Sequence, residues 1–190
     1  MRKLDIGPGK YRLAGFETFD CIKRPGIDHA GDAQRLPFNS GTFDLVHASH
    51  VIEHLPWHRS AEAVKEWARV LQQGGALEVW TVNAYKVAKA LVTFEETGKW
   101  TGPTLGPGTW RHEWIQGDPI RYCAGRFYAY GRTDQPGDPN WHKALFTPKS
   151  LAALFADAGL VNVREMDLSE IRAGRHPFIN FGVRGEKASC

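Results

Sequence analysis

A glycine turn directly after the first apolar stretch is the feature of this sequence best suited to holding a ligand. Residues 4–6 predict a short strand, and Gly7, Pro8 and Gly9 follow it at once. Two glycines around a proline let the backbone turn sharply and leave no side chain between the chain and a ligand. At the carboxyl end of a parallel strand, such a turn lies where open α/β sheets bind their ligands.

A second group of residues could bind a metal ion. His50, Glu53 and His54 have the H-x-x-E-H spacing of inverted zinc peptidases, in which a helix places both histidines on one face. Here Leu55 and Pro56 follow after a single turn, and a predicted buried strand comes directly before. The long helix that such a site needs is therefore not predicted. We expect no metal, and a zinc hydrolase is the least favoured alternative.

Size and composition limit the class of protein. The chain has 190 residues, of which 42% are hydrophobic and 24% charged, values typical of one globular domain spanning residues 1–190. A net charge of +3 is too small to indicate nucleic-acid binding. Three cysteines lie far apart, as expected of free thiols in a reducing cytoplasm. No apolar run reaches the length of a membrane span, so we expect a cytoplasmic protein without a membrane partner.

The elements that position these residues alternate between strand and helix patterns. Strands are predicted at residues 4–6, 16–20, 30–33, 43–48, 76–82, 161–168 and 178–183, and helices at residues 60–71, 85–93 and 147–158. This alternation is typical of an α/β fold with a doubly wound, mostly parallel sheet. Gly74 and Gly75 are expected to end the first helix. Only about ten residues separate the first two strands, fewer than a parallel crossover usually takes, so a loop or a very short helix is predicted there.

Residues 84–146 interrupt the alternation, and we interpret them as an inserted lid or substrate segment within the single domain. Long irregular stretches in compact domains are usually functional. Aromatic side chains and arginines follow one another here: Trp100, Trp110, Trp114, Tyr122, Phe127, Tyr128, Tyr130 and Trp141, with Arg111, Arg121, Arg126 and Arg132. The favoured interpretation is a pocket for a sugar or aromatic ring with an anionic group. The others are a separate core with an oligomer contact and, least favoured, stacking on single-stranded nucleic acid.

Several motifs in a fixed order resemble the class I S-adenosylmethionine-dependent methyltransferases. They are LDIGPG at residues 4–9, GDAQRLPF at 31–38, FDLV at 43–46, SHVIEHL at 49–55, VLQQGG at 70–75 and FTP at 146–148. The resemblance covers roughly residues 3–83 and 141–185. It implies a seven-stranded Rossmann-like fold, an enzyme that transfers methyl groups, and S-adenosylmethionine as the cofactor.

The resemblance also implies which residues hold the cofactor. They are Asp5, Gly7, Pro8, Gly9, Asp20, Asp32, Ala33, Ala48 and Ser49. Asp20, which closes the second strand, would accept hydrogen bonds from the ribose hydroxyls. Asp32 would hold the adenine amino group, with the Ala33 amide beside it. The glycine turn and Asp5 would face the methionine part of the cofactor.

Histidines are the expected catalytic residues. If the methyl acceptor is a hydroxyl of a sugar or another small molecule, a general base is needed, and the ordinary pKa of histidine, about 6.5, suits that task. His50 and His54 would lie closest to the methyl group, and His142 could reach over from the lid. The other histidines have no such positional argument: they include His29, His47, His58 and His176.

One departure from the family pattern favours a different function. The family commonly continues the glycine turn with a third glycine and a full helix, whereas Lys10, Tyr11 and Arg12 follow here. Lys10 or Arg12 could supply the positive charge that the helix would have provided. If the shortened turn no longer holds the cofactor, the chain would be a catalytically degenerate binding or assembly module. In either case a homo-oligomer through the lid segment is an expected partner, and nucleic acid is not.

Overall fold

The computed structural model describes residues 1–109, 111–128, 139–174 and 176–189, and within them seven strands form one mixed sheet. The order across the sheet is β3-β2-β1-β4-β5-β7-β6. The strands are β1 (Lys3–Ile6), β2 (Glu17–Asp20), β3 (His29–Ala30), β4 (Phe43–Ser49), β5 (Leu71–Val82), β6 (Leu160–Met166) and β7 (Asn180–Lys187). β1 to β5 run parallel, and β7 is antiparallel to both of its neighbours. The predicted α/β class with a mostly parallel sheet is confirmed.

Helices connect the later strands. They are α1 (Ser60–Val70), α2 (Ala84–Thr97), α3 (His112–Ile115), α4 (Pro119–Phe127) and α5 (Pro148–Asp157). α1 and α5 pack against each other and against the sheet, whereas α2 packs against α4. α5 begins where the sequence predicts, because the Thr147 hydroxyl accepts a hydrogen bond from the Ser150 amide and Pro148 occupies the first turn. No helix in the described residues is long and apolar enough to cross a membrane.

One face of the sheet forms the main apolar core. Side chains alternate between the two faces of a strand, so the apolar positions of neighbouring strands meet on the same side. This cluster joins β1, β2, β4, β5 and β7 to α1 and α5; its members include Leu4, Ile6, Phe19, Val46, Ala48, Leu77, Val79, Trp67, Leu151, Phe155 and Val183. Because these side chains are almost completely buried, this face supplies most of the hydrophobic stabilisation of the fold.

The opposite face of the same strands carries buried polar side chains. The parallel register places Asp5 beside His47, and His47 beside Glu78. All three are almost completely buried. Glu78 is satisfied by two arginines, Arg172 at 2.8 Å and Arg184 at 2.6 Å. Residues 7–16 and 21–28, which follow β1 and β2, form turns and loops rather than helices, as the short spacing predicts.

The first helix does not end at the glycine pair, and that prediction is wrong. α1 ends at Val70, and β5 begins at the next residue. Gly74 and Gly75 lie inside β5, where its register with β4 shifts. A Cβ at Gly75 would lie 3.0 Å from the Phe43 carbonyl oxygen and 2.9 Å from that of Gln72. Gly75 is therefore needed for a close approach of two backbones, and Gly74 for its φ of +73°; neither is a helix cap.

The segment at residues 84–146 has an apolar cluster of its own. That second cluster is formed by Val82, Val87, Leu105, Ile115, Tyr122, Cys123 and Ile179, with Leu91, Trp100, Phe127 and Phe178 packed against it. It lies among α2, α3 and α4 and the stretch that leads into β7. Part of the predicted lid is thus a small folded unit. The residues of this segment at 110 and 129–138 lie outside the described part of the chain.

Candidate functional site

A cleft of about 460 Å³ opens where β1 and β4 end. Volumes of this size are usual for small-molecule sites. Its lining comes from the glycine turn, the end of β4, the lid segment and the loop before β7: Asp5, Gly7, Pro8, Gly9, Lys10, Tyr11, His47, Ser49, His50, His54, Arg111, Asn140, Ala173, Gly174 and His176. The cleft therefore lies at the carboxyl edge of the parallel strands, where the sequence predicts ligand binding.

The glycine turn is bare toward the cleft. Gly7 and Gly9 have φ values of +65° and +57°, a conformation that L side chains rarely adopt. A Cβ at Gly7 would lie 2.3 Å from Cγ2 of Val51, whereas one at Gly9 would meet no atom within 4 Å. Gly7 is thus required by the protein's own packing, while Gly9 leaves open space that a ligand can occupy.

Arginines, rather than a helix, hold the shortened turn. Arg12 donates to the carbonyl oxygens of Gly9 at 3.1 Å and Tyr11 at 2.6 Å. Arg24 donates to the same Gly9 oxygen at 3.2 Å and to the Asp20 carboxylate at 2.7 Å. Arg12 is therefore committed to the backbone of the turn. Lys10, which lines the cleft, is the cation of the turn that remains available to a ligand.

A buried Asp–His pair forms the floor of the cleft. Asp5 Oδ1 lies 2.8 Å from His47 Nδ1, and both side chains are at most 3% exposed. A carboxylate accepts here, so Nδ1 carries the proton and the lone pair of the ring is on Nε2. That Nε2 is buried and has no hydrogen-bond partner within the described chain. The floor thus offers a carboxylate and an unsatisfied acceptor to a cationic or hydrogen-bond-donating ligand.

The two other predicted acids lie near the cleft without lining it. Asp20 ends β2, where it pairs with Arg24 and accepts from the Ile22 amide at 3.1 Å. Asp32 is exposed and accepts from the Gln34 amide at 2.8 Å, which shapes the turn after β3. Because both carboxylates lie at the ends of neighbouring strands, they border the same edge of the sheet as the cleft.

The three small predicted residues have different positions. Ser49 lines the cleft. Ala48 is fully buried in the main core, so its side chain faces away from any ligand. Ala33 packs against that core, and its carbonyl oxygen accepts from Nε1 of Trp67 at 2.8 Å.

His50 lines the cleft, but the protein already uses both of its ring nitrogens. Nδ1 lies 2.8 Å from Glu53 Oε1, and Nε2 lies 3.0 Å from Oδ1 of Asn180. The Asn180 amide nitrogen donates to the Gly174 carbonyl oxygen, so its Oδ1 is the acceptor toward His50. Both ring nitrogens of His50 are therefore engaged by the protein's own groups.

The inverted zinc-peptidase interpretation of the same stretch is wrong. A single 3₁₀ turn, Ile52–His54, follows β4, and His50 precedes it with a φ of +56°. His50 and His54 therefore do not lie on one face of a helix. The His50 ring is paired with the Glu53 carboxylate itself, so it is not placed to share a metal ion with His54. The motif lacks the helix that would give its spacing the geometry of a zinc site.

His54 and His142 meet beside the cleft. Their ring centroids are 5.0 Å apart, and His54 lines the cleft. His54 Nδ1 lies 3.3 Å from the Trp141 carbonyl oxygen, and His142 Nδ1 lies 2.9 Å from that of Arg126. Since a carbonyl only accepts, both rings carry the proton on Nδ1 and the lone pair on Nε2. The structure thus brings these two predicted residues together.

Ionised Glu53 lies next to the two histidines. Burial raises its pKa, but the charge and hydrogen bond of His50, helped by His54 and His142, lower it to about 2. Burial also lowers the pKa of His142 from its ordinary value, against the attraction of Glu53. Near neutral pH this group therefore combines a buried carboxylate with a neutral imidazole.

The aromatic side chains of the lid segment divide into two sets. Trp100, Tyr122 and Phe127 belong to the second apolar cluster, so the interpretation as a separate core holds for them. Trp114, Tyr128 and Trp141 are exposed. Arg111 lines the cleft and lies 5.9 Å from the ring of Trp114. Trp110, Tyr130 and Arg132 lie outside the described residues.

Sequence reasoning missed several residues of the cleft. Besides His47, they are Tyr11, Asn140, Ala173, Gly174 and His176. The pairing of Asp5 with His47 depends on the register between β1 and β4, which cannot be read from the sequence alone. Burial lowers the pKa of His176, and the charges of Arg126 and His50 act in the same direction. One available signal was the polar His47 inside an otherwise apolar strand.

Comparisons with known proteins agree with this architecture. Residues 16–79 match the family model of a methyltransferase domain. A solved S-adenosylmethionine-dependent methyltransferase of Thermotoga maritima, described as a possible histamine N-methyltransferase, has a TM-score of 0.55 at 17% identity over 98% of this chain and 82% of its own. One from Methanosarcina mazei has a TM-score of 0.55 at 17% identity over 100% and 93%.

A third solved structure, an O-methyltransferase family protein of Burkholderia thailandensis, has a TM-score of 0.53 at 13% identity over 99% of this chain and 51% of its own. At such identities the structures show a shared fold. No curated protein matches the chain.

Proposed function

We infer that this chain, which has the methyltransferase domain and the fold of the class I S-adenosylmethionine-dependent methyltransferases, methylates a hydroxyl of a sugar or another small molecule. The cofactor of such enzymes is S-adenosylmethionine. The observation that carries the proposal is the cleft, whose lining combines the glycine turn, the buried Asp5 carboxylate and His54, whose Nδ1 is held by the Trp141 carbonyl oxygen.

The residues present fit the cofactor. When bound, S-adenosylmethionine supplies an electrophilic methyl group on a positively charged sulfur. Asp5 and the unsatisfied Nε2 of His47 offer acceptors to its ammonium group, and Lys10 offers a positive charge to its carboxylate. The open space at Gly9 leaves room beside the backbone. This answers the main argument for a degenerate module, because side chains compensate for the missing helix.

The roles proposed for the remaining predicted residues follow from their positions. Asp20 would bind the ribose hydroxyls, sharing its carboxylate with Arg24, and Asp32 would bind the adenine amino group from its exposed turn. Ser49 and the glycine turn would contact the methionine part. For Ala33 and Ala48 only backbone atoms are available to the cofactor.

His54 is the proposed general base. Its Nδ1–H donates to the Trp141 carbonyl oxygen, so the lone pair on Nε2 can take the proton of an acceptor hydroxyl. The nitrogens of His50 already face oxygen acceptors, and His142 is buried behind His54. Placing acceptor and methyl group at near-attack distance contributes on the order of 7–11 kcal/mol. A base adds about 10²–10⁴-fold to the rate.

The acceptor class is inferred from the rim of the cleft, because the similar structures carry names for both N- and O-methyl transfer. Exposed Trp141 and Trp114 offer flat apolar faces to a sugar or aromatic ring. Arg111 would bind an anionic group of the acceptor. Histidine as the base suits a hydroxyl.

We also propose a cytoplasmic location, which the free thiols of Cys21 and Cys123 support. A homo-oligomer through the lid stays a prediction.

The test is methyl transfer from radiolabelled S-adenosylmethionine to a panel of sugars, sugar phosphates, phenols, amines and thiols. We expect labelled product with hydroxyl acceptors. His54→Gln should lower kcat by about 10²–10⁴-fold and leave the affinity for S-adenosylmethionine within about threefold. His58→Gln changes an exposed histidine nearby and should lower neither. Product with amines alone would refute the hydroxyl acceptor.

The degenerate module remains the second candidate function, favoured by the shortened turn. Calorimetry with S-adenosylmethionine and S-adenosylhomocysteine separates the two. Binding of both, in the micromolar range, is the expected result for an enzyme. If neither binds to the folded protein, the chain keeps the fold as a binding or assembly module.

A further inference from the structure

Three side chains beside the cleft have the composition of a transition-metal site. Within the described residues, one carboxylate oxygen of Glu53 and one ring nitrogen each of His54 and His142 lie within 4.8 Å of one another. Imidazole and carboxylate ligands suit Zn²⁺ and related divalent ions. This set differs from the H-x-x-E-H motif, because His142, from the lid segment, takes the place of His50.

Both histidines are oriented as metal ligands are. Each donates its Nδ1–H to a backbone carbonyl, that of Trp141 for His54 and that of Arg126 for His142. Ligating histidines almost always have such a second contact, which fixes the tautomer and the orientation of the ring.

Glu53 supplies the second, independent observation. Its side chain is 2% exposed, and Oε1 is held by His50 Nδ1 at 2.8 Å. Its other oxygen, Oε2, is buried and has no hydrogen-bond partner among the residues that the structure describes. Burying a carboxylate oxygen without a partner is costly, and a cation at that oxygen would remove the cost.

The backbone also holds the three ligands together. The amides of Lys143 and Ala144 donate to the Glu53 carbonyl oxygen at 2.7 Å and 3.1 Å. The chain segment that carries His142 is therefore fixed against the 3₁₀ turn that carries Glu53 and His54. Ligand atoms around a tetrahedral zinc ion are about 3.4 Å apart, so atoms that lie within 4.8 Å of one another have to approach by at most about 1.4 Å.

We propose that Glu53, His54 and His142 bind a divalent transition-metal ion of the zinc type. Three protein ligands leave a fourth position for water or an oxygen ligand, and His54 lies on the wall of the cleft. There the ion binds the acceptor hydroxyl and lowers its pKa, so that the O–H bond breaks and the proton passes to solvent water. The ion, rather than His54 acting as a base, then activates the acceptor hydroxyl. Ion binding itself does not depend on the proposed function, whereas this role does.

The experiment titrates the full-length protein, freed of metal with a chelator and dialysed, with Co²⁺ and Zn²⁺. We expect one equivalent of Co²⁺ to give the visible absorption of a low-coordinate site, and Zn²⁺ to displace it. Glu53→Gln and His142→Asn should each weaken binding by about 100-fold or more. His58→Asn removes an exposed histidine close in sequence and should leave the affinity unchanged.

A second measurement keeps the proposal testable if a variant fails to fold. Zn²⁺ should raise the Tm of the wild-type protein progressively with its concentration, since a ligand of the native state stabilises it. Absence of a stoichiometric site in the wild type, or equal affinity in folded His142→Asn, overturns the proposal. Binding of S-adenosylmethionine is measured on the same samples. Its absence would refute the methyltransferase and leave the metal site standing.

Discussion

The two faces of the central sheet differ in the side chains that they bury, apolar on one face and polar on the other. On one face, Leu4 and Val46 of adjacent strands pack into an apolar core under α1 and α5. On the other, their neighbours Asp5 and His47 form a buried polar pair at the floor of the cleft. The same four-residue register thus gives stability on one side and a binding surface on the other. The difference shows that one pair of strands can supply both a core and a binding surface, because its side chains alternate between the two faces of the sheet.

The apolar face should dominate the free energy of unfolding. Phe155, on α5, is completely buried in the main core and does not line the cleft. Phe155→Ala should lower the free energy of unfolding by about 3–5 kcal/mol, because it leaves a cavity. Urea unfolding measures this loss. The affinity for S-adenosylmethionine of the protein that remains folded should stay within about twofold. A parallel loss of affinity would show that the two faces are not separable.

The glycine turn should dominate cofactor binding. Gly7→Ala introduces a Cβ that lies 2.3 Å from Val51 at a φ of +65°, so the turn must move. We expect the affinity for S-adenosylmethionine, measured by calorimetry, to fall by about 100-fold. Gly15→Ala is the matched control, since Gly15 has a φ of +77° with no atom within 4 Å of the added carbon. Equal losses in both variants would mean that backbone strain, not the shape of the turn, matters.

The polar pair should have a smaller effect on the same affinity. Asp5→Asn removes a carboxylate from the floor and changes the partner of His47 Nδ1, and we expect about tenfold weaker binding of S-adenosylmethionine. Asp44→Asn makes the same change at the opposite end of β4, where Asp44 accepts from the Arg2 amide and from Gln72. That control should leave the affinity unchanged. If Asp5→Asn binds S-adenosylmethionine as tightly as the wild type does, the proposed role of the Asp5–His47 pair in cofactor binding is refuted.

The smallest predicted effect is a pH dependence at the rim of the cleft. Because burial lowers the pKa of His176, its ring is neutral near pH 7 and gains a proton only below its ordinary value of 6.5. The charged ring would repel the cationic cofactor. Between pH 7.5 and about 5.5, binding of S-adenosylmethionine relative to neutral S-adenosylhomocysteine should weaken by about two- to threefold. His176→Gln should flatten this ratio; an unchanged pH profile in that variant would assign the dependence to another group.

The fold was largely predictable from local patterns. The alternation of apolar runs predicts the strands near their observed positions, and Thr147 with Pro148 predicts the start of α5, because capping is a local interaction. The short spacing between the first two strands also predicts the loop after Gly9. The interpretation of Gly74 and Gly75 as a helix end was wrong, since Gly75 is needed for a close contact with the Phe43 carbonyl on another strand.

The candidate site was predictable only in part. The glycine turn, Asp5, Ser49 and His54 follow from motifs that are contiguous in sequence, and all of them line the cleft. His47 and His176 could not be found in this way, because their positions depend on strand register and on a loop that folds back over β1.

The amino-acid sequence by itself determined the class of fold, the place of the glycine turn and the type of reaction that its motifs resemble. The first two depend on backbone preferences and apolar periodicity, which act over a few residues, whereas the type of reaction is what the resemblance of the motifs implies. Only the tertiary structure decided that His142 meets Glu53 and His54, and that His50 is held by Asn180. Such contacts join positions about ninety or more residues apart, so they depend on how the whole chain packs.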